Sequence, residues 1–149
     1  MILTSPSFKD GESIPSKFSC EGGDINPELQ IQNVPEKAKS LALILHDPDA
    51  PREGGFTHWV VWNIAPRTTL IKEESVPPGS TEGLHGAGRP GYVGPCPPSG
   101  THRYEFRLYA LTKKLDIPET SGMKDLESAM KGIILEETKL IGLYQKQKK

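Results

Sequence analysis

The sequence predicts a mainly β protein, arranged as a sandwich with very little helix. Three short segments rich in β-branched and aromatic residues are separated by turn-forming residues, and only one stretch has helical periodicity. The 14 prolines and 15 glycines lie between these segments and do not gather into a low-complexity block. Short apolar runs divided by turns are typical of two packed sheets. A length of 149 residues suits one domain, which we expect to span residues 1–149.

The first two predicted strands, residues 40–46 and 57–64, are almost continuously apolar. Their shortness, their β-branched or aromatic residues and their flanking prolines and glycines favour strands over helices. A strand without alternating polar residues is covered on both faces, so we expect these two strands at the centre of a sheet.

The third predicted strand, residues 103–111, alternates in polarity. Two charged residues stand between three aromatic or aliphatic ones: Glu105 and Arg107 between Tyr104, Phe106 and Leu108. Because successive side chains of a strand point to opposite faces, this pattern predicts one buried and one solvated face.

Residues 121–131 form the one helical pattern, with Ser121 as a suitable N-terminal cap and Gly132 as a suitable stop. Three apolar residues fall on one face of this helix: Met123, Leu126 and Met130. Residues 133–144 fit neither the helical nor the strand period, so the pattern alone leaves that segment open.

Composition argues against several classes of function. The formal charge is -1, and positive charge gathers only in Lys146, Lys148 and Lys149, which argues against nucleic-acid binding. The longest apolar run, Leu41–Leu45, is too short to cross a bilayer, and the N-terminus has no signal-peptide pattern. We therefore expect a cytoplasmic protein without stable membrane insertion.

Cys20 and Cys96 are the only cysteines, and they lack the spacing of metal ligands. Cysteines in a reducing cytoplasm are usually free thiols, so we expect two buried thiols and no disulfide. Their separation along the chain does not show whether they come close in the fold.

Asp47 and Asp49 directly follow a strand that we expect to be buried, in a loop stiffened by Pro48 and Pro51. A carboxylate held at such a junction can orient a histidine or a ligand. Aspartate and proline are also common turn formers, and for this short stretch alone a plain polar turn is the favoured interpretation.

His58 stands at the start of the second strand, directly before Trp59. An imidazole that enters an apolar strand needs a hydrogen-bond partner, so His58 alone is more typical of a satisfied core histidine than of a ligand-binding group. The two aspartates of the preceding loop strengthen the case for a site without reversing that preference.

Residues 91–104 form a loop dense in proline and glycine that leads to His102 and Tyr104. Prolines restrict the backbone and remove amide donors, so this loop can form a rigid pocket wall at small entropic cost. A long β-connection is the alternative. The pocket wall is narrowly favoured, because so dense a loop ending in histidine and tyrosine is unusual for a plain connection.

Two histidines and one or two carboxylates at strand ends suit three kinds of chemistry. Protonated histidines bind phosphate or another anion, two histidines and a carboxylate ligate a metal, and the same groups act as acid and base in hydrolysis. The sequence has no His-Glu-x-x-His, Gly-x-Ser-x-Gly or P-loop motif to support the last two. We therefore expect a non-enzymatic binding protein without a cofactor or metal.

The ordered set of motifs resembles the phosphatidylethanolamine-binding (Raf kinase inhibitor-like) protein family. The matching pieces are Asp47 to Pro51, His58 to Asn63, Gly94 to Pro98 and His102 to Tyr104. Cys20 to Pro27 and Leu140 to Tyr144 resemble the short bacterial and archaeal branch of that family. The resemblance covers nearly the whole chain.

This resemblance implies an antiparallel Greek-key β-sandwich with one or two short helices near the C-terminus, and it favours a strand over residues 133–144. It also implies a small ligand-binding pocket, whose residues in this chain are Asp47, Asp49, His58, Cys96, Pro98, His102 and Tyr104. Cys96 stands where animal members carry glycine and Phe56 where they carry tryptophan, which predicts a pocket rim of different shape.

The resemblance further implies a small anionic ligand, such as phosphate or a phosphorylated head group, and regulation of a partner protein. A protease or kinase inhibitor or signalling scaffold that acts through the loops around the pocket is the alternative function, and a metal-dependent hydrolase is a weaker one. The chain resembles members without the C-terminal helical extension of animal proteins, so Raf kinase inhibition itself does not carry over. Short-branch relatives resemble homodimers, so we also expect self-association.

Overall fold

The computed structural model describes residues 1–147 and consists of two antiparallel sheets that pack face to face around a common core. Lys148 and Lys149, two of the three terminal lysines, lie outside the described residues. The smaller sheet contains Ile2–Thr4 (β1), Leu29–Gln32 (β2) and Leu70–Ile71 (β5), in the order β1-β2-β5. The larger sheet contains Ser40–Asp47 (β3), Phe56–Ile64 (β4), Thr81–Glu82 (β6), Thr101–Leu111 (β7) and Ile134–Gln145 (β8).

The larger sheet contains a Greek key. Its strands have the order β6-β4-β3-β7-β8, so β7 returns by a long connection to pair with β3 on the side opposite β4. The order β7-β3-β4-β6 is the Greek-key order, which confirms the predicted architecture. β8 pairs with β7 along its length, so the ambiguous segment is a strand, as the resemblance implied.

All three predicted strands are present, and the two apolar ones lie inside the larger sheet as expected. Every residue of β3 is buried, because this sheet is covered on both faces. One face packs in the core between the sheets, where Leu45 of β3 pairs with Phe106 of β7. The other face, which includes Ile44 and Trp62, packs against the helix Met123–Met130 (α1).

One prediction for β7 holds only in part, because the face that carries Glu105 and Arg107 is largely covered, although Arg103 on the same face is exposed. Glu105 is only 7% exposed, and its carboxylate accepts hydrogen bonds from the Arg107 guanidinium at 2.9 and 2.7 Å. Lys139 of β8 approaches the same carboxylate at 3.8 Å. Charge pairing allows this face to be covered, whereas an unpaired buried carboxylate would be costly. Alternation indicates the direction of a side chain, but not whether its neighbours cover it.

The N-cap of helix α1 lies one residue later in the chain than predicted. Gly122, not Ser121, is its N-cap, and the Asp125 carboxylate accepts a hydrogen bond from the Gly122 amide at 3.1 Å. Ser121 is buried, and its carbonyl accepts a hydrogen bond from the Leu84 amide at 2.9 Å. Gly132, with a φ of 80°, follows the helix end as predicted. Among residues 1–147, no helix is long and apolar enough to span a membrane.

Cys20 and Cys96 form a disulfide, with their Cα atoms 5.5 Å apart. Both residues are exposed, so the prediction of two buried thiols is wrong. The bond joins the segment after the 3-10 helix Ser16–Phe18 to the loop before β7. The prediction failed because it rested on the expected compartment, and a separation of 76 residues says nothing about how two loops meet in space.

Candidate functional site

A cavity of about 430 Å³ opens at the end of the larger sheet where β3 ends and where β4 and β7 begin. The antiparallel register brings these strand ends together, since His46 pairs with Thr57 on one side and with Glu105 on the other. The lining residues are Asp47, Ala50, Pro51, Arg52, Phe56, His58, Val93, Gly94, Cys96, Pro97, Pro98, His102 and Tyr104. All predicted pocket residues except Asp49 are among them.

Asp47 and His102 form a buried pair in this lining. The Nδ1 of His102 lies 2.7 Å from the Oδ2 of Asp47, and the two side chains are 9% and 4% exposed, respectively. The Oδ1 of Asp47 accepts a hydrogen bond from the Asp49 amide at 2.8 Å, so both carboxylate oxygens are held. Because a carboxylate only accepts, Nδ1 of His102 carries the proton, and Nε2 is the ring nitrogen left for a ligand.

His58 is oriented by the loop opposite. Its Nδ1 donates to the Val93 carbonyl at 2.8 Å, and its ring meets the rings of Phe56 and Tyr104 edge-on, with centroids 4.9 and 5.3 Å away. Burial lowers the pKa of His58, although the Val93 hydrogen bond opposes this shift. The ring is therefore neutral near pH 7, with its lone pair on Nε2. The interpretation of His58 as a satisfied core histidine accounts only for its Nδ1, because the same ring also lines the cavity.

Tyr104 and Cys96 provide two further polar groups. The buried Tyr104 hydroxyl forms no hydrogen bond with any of residues 1–147, although the Asp47 carboxylate and the Cys96 amide lie nearby. Burial, followed by the charge of Asp47, raises the pKa of Tyr104, so its hydroxyl stays protonated. Among residues 95–98, only Cys96 has an amide N–H, because the other three are prolines. An unsatisfied buried hydroxyl is a feature that a bound ligand or water can explain.

Asp49 holds the preceding loop and does not line the cavity. Its carboxylate accepts hydrogen bonds from the Arg103 amide at 2.8 Å and from the Arg103 guanidinium at 3.0 and 2.9 Å. The side-chain bonds, followed by the backbone bond, lower the pKa of Asp49 to about 2. The structure therefore places Asp49 as a link between the loop and β7, outside the lining where the sequence predicted it.

Arg52 lines the cavity but was not identified from the sequence. It is exposed, and its guanidinium lies 5.2 Å from the centroid of the Phe56 ring. It is the one lysine or arginine among the lining residues. The available signal was a basic residue directly after Pro51, in a loop already suspected of forming a site.

The described residues offer no ligand set for a metal. Among residues 1–147, no group of three or more His, Cys, Asp or Glu side chains could hold a metal ion. In the cavity, Asp47 and His102 already bond to each other, and the Nδ1 of His58 bonds to Val93. The metal-dependent hydrolase alternative gains no support from this arrangement.

Gly55 fixes the position of the Asp47 backbone. A Cβ at Gly55 would overlap the Asp47 carbonyl oxygen and lie 2.9 Å from the Nε2 of His46, and the φ of Gly55 is 79°.

Gly54 is a matched control for a substitution at Gly55, because its φ is 77° but its Cβ would meet nothing within 4 Å. We expect Gly54→Ala to cost about 1 kcal/mol for its positive φ, and Gly55→Ala about 2 kcal/mol more. Urea unfolding measures both, and equal losses would contradict the close approach at Gly55.

Comparisons with known proteins agree with this fold. The family model described as phosphatidylethanolamine-binding protein matches residues 4–145. A UPF0098 protein of the archaeon Methanothermobacter thermautotrophicus is 48% identical over 98% of this chain and 99% of its own length. A UPF0098 protein of Aquifex aeolicus is 45% identical over 98% of this chain and 89% of its own.

Two solved structures are also similar. A phosphatidylethanolamine-binding protein homolog of Chlamydia trachomatis has a TM-score of 0.94 and 42% identity, with 97% of each chain covered. YbcL of Escherichia coli, described as a member of the mammalian family of such proteins, has a TM-score of 0.91 and 29% identity. The alignment with YbcL covers 97% of this chain and 98% of YbcL.

Proposed function

The chain belongs to the phosphatidylethanolamine-binding protein family, and from that premise we propose that it is a non-enzymatic protein that binds phosphate or a phosphorylated group in the cavity around His58 and His102. One observation carries the proposal. Two imidazoles, each held at Nδ1 by a fixed acceptor, line the same cavity as a buried hydroxyl that has no partner among residues 1–147. Such convergent polar groups in a mostly apolar cavity are typical of a small-ligand site.

The donors suit an oxyanion. The Tyr104 hydroxyl and the Cys96 amide can each donate one hydrogen bond, and Arg52 at the rim adds a permanent positive charge. An imidazolium at His102 would donate through Nε2, since its Nδ1 is already engaged with Asp47. The site therefore offers up to three donors and a nearby cation to a ligand that only accepts.

The charge balance makes binding depend on protons. The Asp47 carboxylate repels an anion unless His102 is protonated beside it. Neutral His58 offers a lone pair and not a donor, so it also needs a proton to bind a fully ionised ligand. The proton comes from solvent to the imidazole, or from an acidic hydroxyl of the ligand itself.

We expect the affinity for inorganic sulfate to rise as the pH falls from about 8 to about 6. Sulfate stays fully ionised in this range, so the dependence reports on the protein. The bound anion raises the pKa of His58, so the gain is complete below the pKa of His58 in the free protein and is lost as pH rises through its pKa in the complex. Each proton taken up changes the affinity by at most about tenfold per pH unit.

Isothermal titration calorimetry at several pH values measures this dependence. His58→Ala and His102→Ala should each flatten the profile, whereas His85→Ala should change it little, because His85 lies outside this cavity and its charge is the smallest of the effects on the pKa of His58. A flat profile for the unmodified protein, together with unchanged affinity in His102→Ala, would refute the proposal.

Arg52 provides a second test at the rim. We expect Arg52→Ala to weaken sulfate binding about threefold, because an exposed charge is screened by solvent. The difference should shrink when sodium chloride is added. Arg67→Ala is the matched control, since Arg67 is exposed and does not line this cavity. Equal affinity of both variants would show that Arg52 does not interact with the anion.

Several expectations from the sequence stay predictions. They are the cytoplasmic location, the homodimer, and the alternative role as a protease or kinase inhibitor or signalling scaffold. Pull-down from a native lysate, repeated with Asp47→Ala, tests the alternative role, because a partner that docks around the cavity should depend on this residue.

A further inference from the structure

One wall of the cavity is fastened mainly to the N-terminal part of the chain. We define this wall as residues 92–98, which form no strand. Val93 joins the start of the wall to β4 through its amide and carbonyl groups. Three hydrogen bonds join the rest to residues 18–24: Tyr92 Oη to the Phe18 carbonyl at 2.6 Å, Gly94 N to Asp24 Oδ1 at 2.7 Å, and Cys20 N to the Pro95 carbonyl at 3.1 Å.

The disulfide is the strongest link of this wall. Pro95, Pro97 and Pro98 have no amide N–H, so the second half of the wall cannot be fastened by amide donors of its own except at Cys96. A backbone hydrogen bond contributes only about 1 kcal/mol net, so local opening of the wall is opposed mainly by the disulfide and by the burial of Gly94, Pro95 and Pro97. The Cys20–Cys96 bond holds it covalently.

Cys96 has two roles at the same backbone position. Its side chain forms the disulfide, and its amide is the one N–H of residues 95–98, near the Tyr104 hydroxyl. Movement of Cys96 therefore displaces a donor of the proposed anion site as well as the cavity lining. A displacement of about 1 Å is enough to spoil a hydrogen bond, whose distance range is narrow.

The disulfide is also accessible. Cys20 and Cys96 are both exposed, and Cys96 lies in the cavity lining. Exposed disulfides are more often labile and regulatory than buried ones. We propose that the redox state of the Cys20–Cys96 bond sets the affinity of the cavity, which is high when the bond is formed and low when both residues are thiols. This inference rests on the proposed anion binding and adds its regulation.

The reductant is a low-molecular-weight thiol. Its thiolate attacks one sulfur of the disulfide and releases the other protein sulfur as a thiolate, and a second thiol of the reductant then attacks the resulting mixed disulfide and releases the first protein sulfur. Cys20 and Cys96 become thiols, and two reductant thiols become one disulfide, so two electrons and two protons pass to the protein. If the protein is cytoplasmic, as the sequence predicts, the thiol form would prevail there until oxidants form the bond.

Thermodynamic linkage makes the effect reciprocal. If the oxidised form binds sulfate more tightly, then sulfate must stabilise the disulfide by the same factor. A merely structural disulfide would not respond to the ligand. This second measurement therefore separates control of the site from general stabilisation.

The experiment compares sulfate affinity by calorimetry in oxidised protein, in protein reduced with dithiothreitol, and in the double variant Cys20→Ser with Cys96→Ser. We expect a loss of at least about fivefold in the latter two, within the usual range of coupling between two sites. Dithiothreitol should have no effect on the double variant, which controls for the reductant itself. In glutathione buffers, saturating sulfate should shift the disulfide equilibrium toward the bonded form by the same factor.

Hydrogen exchange tests whether the change is local. Reduction should speed exchange of the Gly94 and Cys20 amides, which join the wall to residues 18–24, while those of β3 and β7 remain protected. Equal affinity of oxidised and reduced protein overturns the inference and leaves anion binding standing, whereas no binding to oxidised protein overturns both. Global unfolding on reduction, or a disulfide equilibrium that ignores sulfate, also overturns it.

Discussion

Replacing both cysteines with serine is expected to lower the free energy of unfolding by about 4 kcal/mol. The bond closes a loop across a sequence separation of 76 residues. In the chain-entropy description, a cross-link over that length removes freedom from the unfolded chain equivalent to about 4.5 kcal/mol at room temperature. Because both residues are exposed, the substitutions lose almost no buried surface. The entropy of closing the loop in the unfolded chain therefore dominates the loss of stability.

Urea unfolding followed by tryptophan fluorescence measures this change, since Trp59 and Trp62 are buried in the larger sheet. The unmodified protein in dithiothreitol should follow the same curve as the double variant. A typical stability of about 5 to 15 kcal/mol exceeds this loss, so the reduced chain should stay folded at room temperature. A loss below about 1 kcal/mol would mean that the loops stay together without the bond.

The pair of Asp47 and His102 is expected to give the second large effect. His102→Ala should lower the free energy of unfolding by about 3 to 5 kcal/mol, because it leaves the Asp47 carboxylate buried with its Oδ2 unpaired. Asp47→Ala should cost less, about 2 to 3 kcal/mol, because His102 can stay neutral after the carboxylate is removed.

A double-mutant cycle isolates the interaction within this pair. The variant with both substitutions should be more stable than the sum of the two losses predicts, with a coupling of about 2 kcal/mol. His85→Ala is the control, because His85 is partly exposed and lies in a surface loop. Additive losses for Asp47→Ala and His102→Ala would show that the hydrogen bond at 2.7 Å adds little to stability.

Much of the candidate site could be predicted from the order of its motifs along the chain. Asp47, His58 and His102 each lie at or next to an end of a predicted strand, and antiparallel neighbours bring such ends to one edge. Asp49 is the one predicted site residue that the cavity lining does not include, and its carboxylate pairs with Arg103. Two carboxylates two residues apart look alike in sequence, and only the direction of the loop separates the one that faces the cavity.

Arg52 and the Cys96 amide show a second limit of predicting a binding site from sequence. A sequence shows that Arg52 is basic, but its position over Phe56 depends on how the loop folds back on β4. The amide of Cys96 is a backbone group and has no side-chain signal of its own. It stands out only because the neighbouring prolines have no N–H and because the loop faces Tyr104.

The sequence by itself determined β3, β4 and β7, the class of fold and the family, because apolar runs, turn residues and ordered motifs are local properties of the chain. Only the tertiary structure decided the disulfide, the burial of Glu105 and the exclusion of Asp49 from the cavity. These three features depend on contacts between segments that are distant in the sequence, such as the one between Cys20 and Cys96. Such contacts are determined by how the strands and loops pack, and the local sequence pattern does not show them. The pocket predicted from Asp47, His58 and His102 thus acquires a wall that a disulfide holds in place.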